Sequence, residues 1–240
     1  MKITAHAMTD IGMKRRINQD ACLKDDSLGL YVVADGMGGH RGGEVASQLA
    51  VTVLKEFVAQ HRDDMTPAEA LEKGINRAGE EIYKMSQENE ELAGMGTTVM
   101  ALLFRGDKLY VGQVGDSRAY LMIGESIWQI TEDHSLLNEE IRAGRITAVQ
   151  AANYQFKNVI TRSVGYESRV LVDVYRRQVR PGDVYLICSD GLSGLVETDE
   201  ILGIVKKAGP AAGVQKLIAV ANEKGGDDNI SVVVCEVLPD

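Results

Sequence analysis

Five aspartates in this chain stand where short β-type runs meet turns, and four of them lie beside glycine or in a glycine-rich turn. Asp20 closes Asn18-Gln19-Asp20 just before a strand. Asp35 follows the apolar run 30–34 and opens a segment, 36–43, that holds five glycines in eight residues. Asp116 lies in Val114-Gly115-Asp116-Ser117-Arg118 between two strands, and Asp190 in Ser189-Asp190-Gly191 after another. Asp228 lies in Gly225-Gly226-Asp227-Asp228-Asn229, ahead of the final strand. Each alone reads most simply as a solvated turn residue or an Asx-turn. Gathered at one sheet edge, five carboxylates repel strongly unless cations neutralise them. Hard divalent ions with all-oxygen shells, Mg²⁺ or Mn²⁺, are the natural partners, and the lack of histidine and cysteine at these positions disfavours zinc.

The elements that must position these side chains are legible from periodicity. Residues 3–8 read as a strand, and 20–24 with 28–34 as a hairpin turning at Asp25-Asp26-Ser27. A helix is expected over 44–61, with Val45, Leu49, Val53 and Phe57 on its apolar face. Thr66-Pro67-Ala68-Glu69 is a capping box opening a second helix to Asn89. Residues 97–104, 108–114, 117–123 and 126–130 read as four strands on very short turns, hence antiparallel neighbours. From Asp133 to Gly165 the pattern is polar and irregularly helical. Strands are expected at 170–177 and 183–188, then two helices, capped at Thr198 and begun near Pro210, and a last strand over 230–237. Trp128, at strand spacing with Ile130, reads as core, and His134 as structural. Antiparallel strands with helices arriving in pairs give a layered α+β fold, not a doubly wound parallel sheet.

Composition narrows the function. The chain has 240 residues, 45% apolar and 25% charged, ample for a real core and ordinary for a globular protein. No apolar run approaches the roughly 18 residues of a membrane span, and the N-terminus lacks the apolar stretch of a signal peptide. Cys22, Cys188 and Cys235 are odd in number and far apart, so neither a disulfide framework nor a zinc knuckle is indicated, and a cytoplasmic location is expected. A formal charge of −9 argues against nucleic acid or an anionic membrane as the main partner.

Six short words stand in a fixed order: Thr9-Asp10-Ile11-Gly12 with Arg15 and Asn18-Gln19-Asp20; Val33-Ala34-Asp35-Gly36-Met37-Gly38-Gly39-His40; Gly96-Thr97-Thr98; Val114-Gly115-Asp116-Ser117-Arg118; Cys188-Ser189-Asp190-Gly191-Leu192; and Gly226-Asp227-Asp228-Asn229-Ile230-Ser231. Together they resemble the bacterial metal-dependent serine/threonine protein phosphatases of the PPM (type 2C) family, across essentially the whole chain. The resemblance implies one domain over 1–240 with a flap at about 133–165. It also implies a β-sandwich of two antiparallel sheets flanked by paired α-helices, in four layers α/β/β/α. Asp35 is expected to bridge two Mn²⁺ or Mg²⁺ ions, with the Gly36 carbonyl completing one shell. Asp20, Asp190 and Asp228 are expected to bind the pair directly or through water. Asp116 with Asp190 is expected to hold a third, weaker ion. Arg15 matches the arginine that grips the substrate phosphate. The implied partners are phosphorylated proteins, a serine/threonine kinase among them, with the enzyme acting as a monomer.

One position departs from the eukaryotic pattern: Met37 stands where a histidine follows the Asp-Gly pair, and His40, the nearest histidine, is a candidate for protonating the leaving group or contacting substrate, with capping of its loop as the equal alternative. A nucleotide-binding loop is excluded because 36–41 lacks both the third glycine of the dinucleotide fingerprint and the Gly-Lys-Ser/Thr of a P-loop. An aspartyl-phosphate mechanism would need an aspartate at position 37. A metal-free scaffold is disfavoured, because burying unneutralised carboxylates brings no structural benefit.

Overall fold

The computed structural model describes residues 1–39, 41–151, 154–156 and 158–239, without the side chains of Ala148 and Val149. The elements run β1 (Lys2–Asp10), β2 (Asp20–Asp25), β3 (Leu30–Met37), α1 (Gly42–Gln60), α2 (Pro67–Glu88), β4 (Gly96–Thr97), β5 (Val99–Arg105), β6 (Lys108–Val114), β7 (Arg118–Ile123) and β8 (Ser126–Gln129). They continue with α3 (Leu136–Arg142), α4 (Ala148–Ala151), β9 (Asp173–Gln178), β10 (Val184–Cys188), α5 (Asp190–Ser193), α6 (Thr198–Glu223) and β11 (Ile230–Leu238).

Two antiparallel sheets face each other. One has the strand order β1-β11-β10-β7-β8, the other β2-β3-β5-β6-β9 with β4 added to β3. The period-2 alternation of strand side chains divides the core into three layers. Tyr31, Val33, Met100 and Leu102 point between the sheets and meet Ala119, Leu121, Ile187, Val233 and Cys235. Their neighbours Leu30, Val32, Ala34, Ala101 and Leu103 point the other way, against Ala46, Leu54, Leu71 and Ile75 of α1 and α2. On the far side, Leu186, Cys188, Val232 and Val234 pack on Ile201, Val205, Leu217 and Ile218 of α6. Each large side chain so buried contributes roughly 1.5–3 kcal/mol. The result is the four-layer α+β sandwich expected from the sequence.

Several elements differ in detail from the sequence reading. Asp35 does not terminate β3: pairing continues through Gly36↔Thr97 and Met37↔Gly96. The strand expected over 97–104 is two, broken at Thr98. The helix expected to be capped by Thr198 is preceded instead by Glu197, whose side chain makes no cap. The two expected C-terminal helices form one run bent at Gly209 (φ +74°), with Pro210 opening the second half. Trp128 is not core: it is 50% exposed, on the edge strand β8. The capping box holds as expected, with Thr66 accepting from the Glu69 N–H and the Glu69 carboxylate accepting from the Thr66 N–H.

Candidate metal centre

Strand register builds the first half of the site. In the β2–β3 pair Asp20 lies directly opposite Asp35. Ala21 and Ala34 point toward α1, so Asp20 and Asp35 both point between the sheets. Like charges directly opposite one another destabilise a sheet, so this pair needs a compensating partner. The Asp35 backbone is held hard. Its N–H donates to Thr98 Oγ1 at 2.9 Å, and its carbonyl accepts from Thr98 N at 2.8 Å and from Thr97 Oγ1 at 2.9 Å. The strand break at Thr98 is what frees that threonine for the task. Gly36 is wedged in: a Cβ there would lie 2.0 Å from the Gly43 carbonyl oxygen and 2.5 Å from that of Gln19. No larger residue fits.

The opposite sheet supplies the rest. Asp190 follows β10 and Asp228 precedes β11. Asp116 lies in the link by which the chain passes from β6 in one sheet to β7 in the other. All five carboxylates meet electrostatically. Burial first, then repulsion from Asp20, Asp190, Asp116 and Asp228, raises the Asp35 pKa well above the usual carboxylate range. Asp20 is pushed up to about 7 by burial, against the opposing hydrogen bond from Ser189. Asp116 is also pushed up to about 7, by burial and then by Asp190 and Asp133. Burial and then Asp228 raise Asp190.

Such a cluster held without cations keeps protons that carboxylates at neutral pH ordinarily lose. Two buried oxygens, Asp20 Oδ1 and Asp190 Oδ1, have no hydrogen-bond partner among the described residues. Orphaned buried carboxylate oxygens in an all-oxygen set suit a hard divalent ion. Among the described residues, no three His, Cys, Asp or Glu side chains stand close enough together, as they lie, to hold a metal ion. The residues nonetheless fit Mg²⁺ or Mn²⁺. A cleft of about 450 Å³ opens against Asp116, Asp190 and Asp228, and Asn138 of α3 and Asn158 also line it.

Arg15 reaches the site on a loop that is bolted to the residues around Asp228. The N–H groups of Met13 and Lys14 donate to the Gly226 carbonyl, at 2.8 and 3.2 Å. Gly12 (φ +78°) passes so close that a Cβ would lie 2.2 Å from the Asp228 carbonyl oxygen. Asn229 accepts from Gln19 N at 2.8 Å and donates to the Ile11 and Ile17 carbonyls at 2.9 and 3.1 Å. Arg15 Nη2 thereby meets Asp228 Oδ2 at 2.6 Å. Arg16 is exposed. His40 lies outside the described residues.

Asn229, Thr98 and Ser189 carried no assigned role in the sequence reading, although all three fall inside the six words. His134 is structural, as expected. Its Nδ1 accepts from Gly115 N at 3.1 Å, and its Nε2 faces Asp173 at 3.2 Å.

Comparison with known proteins agrees with this geometry. Residues 13–224 match the family model described as protein phosphatase 2C. The serine/threonine phosphatase stp of Listeria monocytogenes is 38% identical over 241 residues, 97% of this chain and 95% of that protein. The crystal structure of the Mycobacterium tuberculosis serine/threonine phosphatase PstP/Ppp superposes with a TM-score of 0.91 at 33% identity, covering 100% of both chains. The catalytic domain of PstP in complex with two manganese ions gives 0.88 at 34% identity, covering 99% of each. The chain belongs to the protein phosphatase 2C family and is a metal-dependent serine/threonine protein phosphatase.

Proposed function

We propose that Asp20, Asp35, the Gly36 carbonyl, Asp190 and Asp228 hold the two Mn²⁺ or Mg²⁺ ions of this phosphatase, with Arg15 gripping the substrate phosphate. The observation that supports the assignment best is the Asp20–Asp35 pair, face to face across β2 and β3 and met by Asp190 and Asp228 from the other sheet. Asp35, directly opposite Asp20 across β2 and β3, would be the carboxylate shared by the two ions, as the family resemblance implies. Bound there, the ions supply a nucleophilic water and neutralise charge in an in-line displacement.

The protein's own contribution is placement. Arg15 presents two parallel donors to phosphate oxygens, a geometry lysine lacks. To do so it exchanges Asp228 for the phosphate. His40 is the candidate that the family resemblance leaves for protonating the departing serine or threonine oxygen. A cysteine nucleophile is not in competition, because burial pushes the Cys188 thiol up to about 12 and raises Cys22 and Cys235 as well. Asp116 with Asp190 holds a third, weaker ion in the cleft. Residues 1–240 work as one domain, and 133–165 form a flap over the site, a role supported by Asn138 and Asn158 in the cleft wall.

The substrates are phosphorylated proteins, a serine/threonine kinase among them. The enzyme acts as a monomer in the cytoplasm, consistent with three unpaired cysteines and with no described helix long and apolar enough to cross a membrane. Phosphate release from phosphoserine and phosphothreonine peptides, with and without Mn²⁺, tests the reading. Full activity in excess chelator overturns it.

A further inference from the structure

Ser189 is wholly buried where three segments of the site meet. It precedes Asp190 directly, and Ser231, to which it is bonded, lies three residues after Asp228. Its Oγ lies 2.7 Å from Asp20 Oδ2 and 2.9 Å from Ser231 N. A serine hydroxyl has one proton to give. The Ser231 N–H can only donate, so it takes a lone pair of Oγ and leaves the hydroxyl proton to be directed elsewhere. The Asn229 carbonyl lies at 3.4 Å, too long to compete with a carboxylate at 2.7 Å. The proton therefore goes to Asp20 Oδ2. That engages one oxygen of Asp20 and leaves the other, Oδ1, buried and without a partner among the described residues.

We infer that Ser189 is a positioning residue, which fixes the Asp20 carboxylate so that Oδ1 alone is offered to the metal pair. The inference rests on the assignment of Asp20 to that pair. A purely structural role, tying β10 to β11, is already met by the backbone, where Ser189 N donates to Ser231 O at 3.1 Å. The side-chain relay from Ser231 N–H through Ser189 Oγ adds a second bond to that seam and then reaches past it to Asp20. It sets the rotamer of a carboxylate 169 residues away in sequence. Partners of metal-binding side chains act in this way, orienting the ligand and tuning its affinity.

The test is a double-mutant cycle on Mn²⁺ binding, read by titration calorimetry on the full chain. Ser189→Ala is expected to weaken the tight Mn²⁺ affinity about tenfold, the lower end of the effect of such partners. In an Asp20→Asn background the same change is expected to alter that affinity less than twofold. Unchanged affinity in Ser189→Ala, or an equal loss in both backgrounds, overturns the inference. Ser189→Cys, similar in volume and a weak donor, carries the same cycle should the alanine variant not fold. A wild-type chain that binds Mn²⁺ tightly and shows the cycle, yet cleaves no phosphoester, would sink the reaction and leave this role of Ser189 standing.

Discussion

Arg15 and Asp228 are each other's partners at 2.6 Å, so the side chain assigned to the substrate phosphate holds one assigned to the metal pair. The two are half-exposed, at 50% and 34% of their side-chain surface. Pairs so wetted contribute about 0–1 kcal/mol, so the guanidinium can change partner at little cost. Arg15→Ala is expected to raise KM for phosphorylated substrates by a factor worth about 1.5–3 kcal/mol, the scale of a lost charge-assisted hydrogen bond. Arg16→Ala should leave it nearly unchanged. Steady-state kinetics giving equal losses for the two variants would remove Arg15 from the phosphate site.

The metal-free protein should have an inverted acid profile. Asp20 and Asp116 rise from an ordinary carboxylate value to about 7 in the fold, so the native state holds protons that the unfolded chain has released. Stability from that source is complete below pH 3.8 and is lost as pH climbs through about 7. His134, whose pKa burial lowers, pulls the opposite way below about pH 6.5. The diagnostic is therefore a difference between variants. In chelator, the melting temperature of the wild type should fall from pH 5 to pH 8 more steeply than that of Asp20→Asn. Parallel curves would show that the Asp20 proton is not retained in the fold.

Replacing a central carboxylate should separate stability from activity. Asp35→Asn and Asp190→Asn are expected to abolish Mn²⁺-dependent hydrolysis while the domain stays folded. Each replaces a carboxyl that burial and its neighbours keep from ionising with a neutral amide of the same shape, so the metal-free variants should melt no lower than the wild type. A variant that unfolds in chelator while the wild type does not would mean that these side chains hold the fold itself.

Asp116 sits apart, on the link between β6 and β7, and makes a finer distinction possible. With Asp116→Ala the tight Mn²⁺ pair should still bind, while turnover falls and a weaker binding event disappears from the calorimetric titration. Loss of the tight sites would place Asp116 in the main pair.

Exchange of residues 136–158 for a relative's segment checks the flap. Glu140 and Arg145 pair with each other there, and the described side chains of α3 include none that is fully buried. Little burial holds α3 down, so it should open cheaply. Activity on phosphoproteins is expected to change far more than activity on a small aryl phosphate, which needs only the metals and Arg15. Proportional losses on both would confine the segment to shaping the site.

The sequence showed the carriers of this site better than its fastenings. The run ending at Asp35, the capping box at Thr66 and the six words follow from local period and residue type. Asp20 and Asp35 face the same layer because a period of two leaves no other choice once their alanine neighbours face a helix. The strand break at Thr98 was hidden, because its cause is a hydrogen bond to Asp35 rather than a local propensity. Trp128 kept the alternation of a core strand but fell on a sheet edge, and edge position is set by topology. The bonds of Ser189 and Asn229 join segments about 170 to 220 residues apart, beyond the reach of any local pattern.

The pairing of β1 with β11, nine residue pairs long, has a consequence for how the molecule is made. β1 lies at the edge of its sheet with β11 as its neighbour there, so the strand earliest in the chain waits for the one furthest along it. During synthesis β1 emerges from the ribosome with its backbone groups unmatched and stays so until Ile230–Leu238 follows. Asp228 and the seat of Arg15 arrive with that same strand. Pairing at such sequence distance is slow to form, so Asp228 and the loop that carries Arg15 take their places only after β11 has been made.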